Sequence, residues 1–165
     1  MLAAPGLPTL YMGDEIALGN DERYADDPQR ADEGRWLHRP AMDWATAEAV
    51  ERGMTDDSAG RIGAALRRML AVRAATPAFR GDASTHVLAF DDPAVLGLLR
   101  GDDVLVLTNL SPYEVAVVPD VDAALPLAGW RDLLDDDGAT HALPATLAPH
   151  ALRWLRRTDT TDAHA

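Results

Sequence analysis

The chain has 165 residues, 47% of them hydrophobic and 25% charged, which suits one globular domain or the end of a larger domain followed by a small one. Its formal net charge of -12 argues against nucleic acid and anionic membranes as partners. The absence of cysteine excludes a disulfide framework and thiol chemistry. Because neither a signal peptide nor a membrane span is readable, we expect a cytoplasmic protein.

The first predicted element is a buried strand at residues 6–13. A short apolar run, Leu7 to Met12, is followed by Gly13 and by two carboxylates, Asp14 and Glu15. A strand that is apolar on both faces is typical of a parallel sheet. Barrel enzymes carry their chemistry at the C-terminal ends of such strands. The pattern therefore predicts an inner barrel strand that ends at a functional edge.

Residues 14–57 show little hydrophobic periodicity and are dense in Asp, Glu, Arg, Gly and Pro. A loop of this length in a compact domain is usually functional or disordered. Tyr24, Trp36, Met42 and Trp44 need burial, which indicates that the loop is ordered. We expect one short helical turn within it, at residues 45–52.

From residue 59 the apolar residues recur at three- and four-residue steps, which predicts a helix capped by Ser58 and ended by Pro77. Beyond residue 82 the pattern changes to short strands separated by turn residues, which is typical of an antiparallel sandwich. The predicted strands are 86–90, 95–100, 104–109, 113–118, 130–134, 141–147 and 151–156. The polar tail at 158–165 is expected to be disordered.

Two groups of residues carry a resemblance to a known family. The letters GLP at 6–8 and GDE at 13–15 resemble glycoside hydrolase family 13, the α-amylase superfamily, at its eighth barrel strand. The letters ND at 20–21, RWLHRP at 35–40 and MDW at 42–44, at their spacing, most resemble the amylosucrase and sucrose hydrolase members of that family. The resemblance covers nearly the whole chain.

The resemblance implies a fold of class α/β plus all-β. Residues 1–80 would form the last strand and helix of a TIM (β/α)8 barrel, with the long loop between them, and residues 81–157 an antiparallel β-sandwich domain. It further implies a retaining α-glucosyltransferase that takes glucose from sucrose, releases fructose and extends an α-glucan. The catalytic carboxylates of the family lie on barrel strands 4, 5 and 7. We therefore expect a C-terminal fragment that is inactive without a missing N-terminal barrel portion. No catalytic residue, metal ligand or cofactor is assigned to this chain.

Four residues are assigned to substrate binding: Asn20, Asp21 and Tyr24 at the mouth of the site, and Arg35 through the resemblance. It places Arg35 on the floor of a glucose pocket, paired with a barrel aspartate outside this chain. A guanidinium suits this role because its rigid fork of donors fits a carboxylate and sugar hydroxyls. The alternative for Arg35 is a structural ion pair that holds the loop. The alternative for Asn20 and Asp21 is turn formation.

Five residues are assigned to the structure of the loop: Asp14, Glu15, Trp36, His38 and Arg39. Glycosidases need two carboxylates across the scissile bond. Adjacent residues at a strand end point in different directions, so Asp14 and Glu15 are expected to order the loop instead. Trp36 is expected in the internal core of the loop, with stacking on a sugar ring as the alternative. His38 and Arg39 either contact a sugar or an anion, or lie exposed.

Several functional alternatives remain open. They are sucrose hydrolysis, another family 13 α-glucosidase or trehalose synthase, and an inactive structural or carbohydrate-binding β-sandwich. No metal is expected, because the histidines lack ligand spacing and the acidic runs lack the ordered oxygens of a calcium loop. Strand 8 and helix 8 would bury apolar faces on absent barrel neighbours. The isolated chain is therefore expected to aggregate, or to keep only about 82–157 folded.

Overall fold

The structure of the protein, a computed structural model, describes residues 2–120, 125–135 and 137–158. Two α-helices, α1 (Trp44–Glu51) and α2 (Ser58–Ala75), precede all of the β-strands in these residues. The strands are β1 (Thr85–Leu88), β2 (Val95–Arg100), β3 (Val104–Asn109), β4 (Val115–Ala116), β5 (Ala128–Asp132), β6 (His141–Ala142), β7 (Thr146–Leu147) and β8 (Leu152–Arg157). Short 3-10 helices occupy Asp14–Ile16, Glu22–Asp26, Gly34–His38 and Pro77–Phe79.

The chain divides into two compact units. One unit is Thr9–Leu70, and it contains α1 and most of α2. The other consists of the described residues of Met1–Pro8 and Ala71–Ala165, and it contains the strands. The domain boundary near residue 80 that the sequence suggested stays a prediction.

The strands form an antiparallel β domain, as the sequence predicted. Six of them make one sheet in the order β1-β2-β3-β8-β5-β6, and β4 and β7 pair as a separate ribbon. Every strand predicted beyond residue 82 overlaps an observed one. The predicted strand 141–147 is divided into β6 and β7, with Pro144 between them. Because proline cannot donate a ladder hydrogen bond, the chain leaves the large sheet there and joins the ribbon.

The main core of the β domain is built by side chains that alternate along the central strands. Leu105 and Leu107 of β3 point to the same side of the sheet as Leu155 of β8, because Leu105 and Leu155 are directly paired. Buried residues of β4 and β7 pack against this side. The other buried members of this core are Val95, Val115, Val117, Trp130 and Leu147. The ribbon thus covers one face of the large sheet.

The opposite face of the sheet is also covered. Trp154 of β8 is fully buried, and its ring centroid lies 4.6 Å from that of Phe79. Arg100 of β2 is fully buried as well; it donates to the hydroxyl of Thr85 and, at 2.9 Å, to the backbone carbonyl of Arg80. Burial lowers the pKa of Arg100. Coverage of both faces explains why β3 is apolar along most of its length.

No strand forms at residues 6–13, so the prediction of an inner barrel strand is wrong for this chain. The backbone there is irregular up to a turn at Met12, and Leu7 is 95% exposed. A strand needs hydrogen-bonded neighbours, and none of the described strands pairs with this segment. The described residues therefore show no portion of a TIM barrel, although the local apolar pattern favoured β structure.

Both predicted helices form. The side chain of Asp43 caps α1 by accepting from the backbone N–H of Thr46 at 3.1 Å. For α2 the predicted cap, Ser58, is wrong by one residue: Asp57 accepts from the N–H of Gly60 at 3.0 Å, and Ser58 is the first helical residue. Either side chain could serve as a cap, and the start of the helix decides which one does. No helix in the described residues is long and apolar enough to cross a membrane.

The first residue of the tail that was predicted to be disordered, Thr158, is held by hydrogen bonds. Thr158 donates to the carbonyl of Gly129 from its backbone N–H at 2.8 Å and from its hydroxyl at 3.0 Å. The rest of that predicted tail, 159–165, lies outside the described residues.

Candidate functional site

The turn after residue 12 holds two neighbouring carboxylates. Gly13 has a φ of 99°, a conformation that favours glycine, and a Cβ there would lie 2.9 Å from the side chain of Leu18. Asp14 Oδ2 accepts from the N–H of Tyr11 at 3.0 Å, and Glu15 Oε2 accepts from the N–H of Gly13 at 2.8 Å. These are contacts of the kind expected for residues that order a loop, and that assignment stays a prediction.

The two halves of the ND…RWLHRP motif lie side by side. Asn20 Oδ1 is 3.0 Å from His38 Nδ1. The N–H of Asp21 donates to the carbonyl of Leu37 at 2.9 Å. Residues far apart along the loop are therefore held in contact, and the motif is one local structural unit.

Asp21 begins the next turn of the loop and forms an ion pair with Arg23. Its Oδ1 accepts from the side-chain Nε of Arg23 at 3.0 Å and from the backbone N–H of the same residue at 3.2 Å. The side-chain hydrogen bond from Arg23 is the main cause that lowers the pKa of Asp21. Tyr24, the next predicted substrate residue, is half-buried, and its N–H donates to the carbonyl of Asp21 at 3.3 Å.

Arg35 makes its ion pair within the loop. Its Nη2 lies 2.6 Å from Glu33 Oε2, and the same oxygen accepts from Trp36 Nε1 at 3.0 Å. Two guanidinium groups lie near the ring of Trp36, that of Arg30 at 4.8 Å and that of Arg35 at 5.6 Å from its centroid. This geometry corresponds to the alternative interpretation of Arg35, a structural ion pair. The first interpretation, a pairing of Arg35 with a barrel aspartate, stays a prediction.

Two open cavities adjoin the motif. The larger, of about 540 Å³, is lined by polar groups that include Asn20, Asp21 and Arg23. The smaller, of about 230 Å³, is lined by Asn20 and His38 among others. Carboxylate, amide and guanidinium groups together suit a ligand rich in hydroxyl groups. Neither Tyr24 nor Arg35 lines either cavity, so the structure brings two of the four predicted substrate-binding residues to a concave surface.

The remaining loop residues differ in their exposure to solvent. Trp36 is half-buried, whereas His38 and Arg39 are exposed. The N–H of Arg39 donates to the carbonyl of Trp36 at 3.1 Å and closes the short helix there. The described residues contain no group of three or more His, Asp or Glu side chains placed to hold a metal ion.

A third cavity, in the β domain, was missed by the sequence analysis. Its volume is about 410 Å³, and Asp132 and Arg153 lie in its wall. A signal existed in the sequence: Asp132 follows Trp130 by two positions in β5, which places its carboxylate on the core-facing side of the sheet. Burying a carboxylate costs free energy unless the group is paired, so an aspartate at an inward position of a strand indicates a polar site there.

The comparisons with known proteins give one informative relationship. No protein-family model matches the chain. The chain is 30% identical over 149 residues to the 1,4-alpha-glucan branching enzyme GlgB 2 of Xanthomonas euvesicatoria pv. vesicatoria (strain 85-10). The match covers 84% of this chain, which spans only 17% of the length of the branching enzyme. This similarity supports a relationship to glycoside hydrolase family 13 and does not support the narrower assignment to amylosucrases.

Proposed function

We propose that this chain is the C-terminal part of a family 13 enzyme that acts on α-glucans. One observation carries the proposal: the similarity to a 1,4-alpha-glucan branching enzyme covers 84% of the chain, which is more than either compact unit contains. A relationship confined to the β domain would match less of the chain. The Thr9–Leu70 unit, called the loop unit below, and the β domain are therefore proposed to belong to the same ancestral enzyme.

The chemistry of the reaction is proposed to come from residues outside this chain. Glycoside hydrolysis and transfer with retention need two carboxyl groups on either side of the scissile bond. The best-placed pair here, Asp14 and Glu15, is adjacent in sequence and bonds the backbone of its own turn. We propose that these 165 residues supply a substrate-facing loop and a supporting β domain, and that they have no activity by themselves.

The substrate-facing surface is proposed to be the cavity beside the ND…RWLHRP motif. Asn20 and Asp21 would accept hydrogen bonds from sugar hydroxyls there, and the amide nitrogen of Asn20 would also donate to them. Arg35 would join them when a barrel carboxylate competes with Glu33 for its guanidinium. Tyr24, which lines neither cavity, would contact the substrate at the mouth of the complete site. The contact between Asn20 and His38 supports this proposal because it shows that the motif is one structural unit.

The substrate is proposed to be sucrose, as in amylosucrases, with glucose passed to an α-glucan. The spacing of the motif supports this choice. A second candidate is a reaction on the α-glucan alone, such as branching, and the similarity to a branching enzyme favours it. Both candidates share the retaining chemistry of the family and differ in the glucosyl donor.

The test begins with the DNA upstream of the Met1 codon. We expect an open frame that encodes the remaining barrel strands with their catalytic carboxylates. The protein from that complete frame is then incubated with sucrose and, separately, with linear amylose. Release of fructose supports the sucrose-active enzyme, and new α-1,6 branches without fructose support the second candidate. If the complete protein forms neither fructose nor new branches, the proposed function is overturned.

Within the complete protein, Arg35→Ala tests the proposed pocket. We expect turnover on the preferred donor to fall about 100-fold or more, because a positioning contact for the reacting sugar is lost. The matched control is Arg30→Ala, since the guanidinium of Arg30 also lies beside Trp36 and also forms an ion pair within the loop, with Asp27 at 3.2 Å. Equal losses in the two variants would indicate that Arg35 only holds the loop.

A further inference from the structure

The third cavity lies in the β domain, between strands β5 and β8 of the large sheet and the segment that follows β6. Its floor is formed by Asp132 of β5 and by Arg153 and Leu155 of β8. Asp132 and Leu155 are paired directly, and Arg153 lies two residues from Leu155, so all three side chains are on the core-facing side of the sheet. The segment that crosses from β6 to β7 adds Leu143 and Pro144 as an apolar wall.

The polar groups of this cavity are fixed by their own contacts. Asp132 is 4% exposed; its Oδ1 accepts from the N–H of Leu134 at 2.9 Å and its Oδ2 from Arg153 Nη1 at 3.2 Å. The side chain of Arg153 is 50% exposed, so part of its fork of donors faces the opening. His141 stands at the rim, 3.0 Å from Asp137 through its Nε2.

The charged pair and the apolar wall together limit the kind of ligand that the cavity can bind. A free anion would meet the carboxylates of Asp132 and Asp135, and a metal ion would compete with the guanidinium that occupies Asp132 Oδ2. A neutral ligand with many hydroxyl groups can donate to the carboxylate and accept from the guanidinium at once. Its carbon-bound hydrogens would pack on Leu143 and Pro144. The volume of about 410 Å³ is within the range of small-molecule sites.

We propose that this cavity binds a glucosyl unit of an α-glucan, as a second carbohydrate site in the β domain, separate from the loop motif. The choice of an α-glucan rests on the proposed function. The ring hydroxyls bond the Asp132–Arg153 pair, and the apolar edge of the ring contacts Leu143 and Pro144. Such a site would hold a long glucan on the enzyme without taking part in the chemistry.

The test is titration of the 165-residue chain with maltoheptaose, followed by NMR or calorimetry. We expect saturable binding that perturbs the signals of residues 132–135 and 141–144. Arg153→Met keeps the stem of the side chain and removes its donors, and it should weaken binding about tenfold. Arg131→Met is the matched control: Arg131 is adjacent to Asp132 but points to the opposite face, so binding should change less than about twofold.

Thermal melting of each variant separates loss of the site from loss of the fold. If Arg153→Met lowers Tm strongly, Arg153→Lys keeps a charge beside Asp132 while losing the planar fork, and it should still weaken binding. No saturable binding by a folded wild-type chain would overturn the proposal, as would unchanged binding by Arg153→Met. Equal binding of cellohexaose would overturn the assignment to α-glucans. Because no turnover is measured, these outcomes are independent of the enzyme assay on the complete protein.

Discussion

The buried side chain of Asn109, at the end of β3, joins three backbone segments of the β domain. Its Nδ2 donates to the carbonyl oxygens of Tyr113, Leu147 and Ala148, and its Oδ1 accepts from the N–H and the hydroxyl of Ser111, both at 2.8 Å. The side chain is 1% exposed. Every polar group of the amide is therefore paired away from water.

Asn109→Asp should lower the free energy of unfolding by about 3 kcal/mol. The variant has nearly the same shape, but it replaces a donor by an acceptor that faces three carbonyl oxygens. Urea unfolding followed by far-UV circular dichroism measures the change. The control is Asn20→Asp on the exposed loop, expected to change stability by less than about 0.5 kcal/mol. Similar values for the two variants would contradict the role of Asn109.

Asn109 could have been identified from the sequence only in part. The alternation Leu105, Leu107, Asn109 places the amide on the core-facing side, and this is readable from the order of residues. Its partners Leu147 and Ala148 are distant in sequence, and only the folded chain brings them near. The pairing of Asp132 with Arg153 could likewise not be predicted from the sequence, since the two residues belong to different strands.

The start of helix α2 is held by a titratable cap. Hydrogen bonding from the backbone N–H of Gly60 is the main cause that lowers the pKa of Asp57 below its usual value of 3.8. A carboxylate with a lowered folded-state pKa stabilises the fold at pH values above 3.8. This contribution is lost as the pH falls through the lowered value, because the proton then binds the folded state too.

Asp57→Asn should therefore flatten the acid side of the stability curve. Asparagine keeps a capping oxygen but cannot titrate there. The urea midpoint of the wild type is expected to fall between about pH 5 and about pH 2 more steeply than that of the variant. Asp56→Asn, one residue earlier, changes the same charge without removing the cap and serves as the control. Equal slopes for Asp57→Asn and the wild type would contradict the prediction.

Strand β2 depends on the close approach of an aromatic ring. A Cβ placed on Gly97 would lie 2.2 Å from Phe90 Cε2, so Gly97→Ala must displace the ring. This substitution should lower the free energy of unfolding by about 1–3 kcal/mol. Phe90→Leu should lower the free energy of unfolding less in the Gly97→Ala background than in the wild type, because the smaller side chain relieves the clash with the added Cβ. A double-mutant cycle from urea unfolding measures this coupling.

The control for this cycle is Gly81→Ala, where an added Cβ meets no atom within 4 Å. Additive effects of the Gly97 and Phe90 substitutions would show that the ring does not limit the strand. Sequence spacing alone could not show this contact, because Phe90 lies beyond the end of β1 and only the folded chain brings its ring against Gly97.

On the scale of the whole molecule, the two units differ in how much apolar surface they bury. The core of the Thr9–Leu70 unit consists of the buried residues Ile16, Val50 and Ala59 with a few partly buried neighbours. Trp44 and Met54 of that unit are 75% and 72% exposed. The β domain has the larger core. The loop unit is therefore expected to open locally at lower free energy.

Limited proteolysis with trypsin should cut the chain first after arginines of the loop unit, such as Arg23, Arg35 and Arg52. A fragment that contains β1 to β8 is expected to persist much longer. Mass spectrometry of a time course identifies both products. Cleavage within residues 85–157 before any cut at 23–52 would contradict this expectation and would indicate that the loop unit is the more stable one.

The sequence by itself determined the positions of the strands, the two helices and the inward-facing residues of the β domain. These features depend on periodicities of two and of 3.6 residues, which are local properties of the chain. The tertiary structure decided the order β1-β2-β3-β8-β5-β6, the crossing to the ribbon at Pro144 and the cavity at Asp132. It also left residues 6–13 without strand structure, because backbone pairing requires a neighbour that local sequence cannot supply.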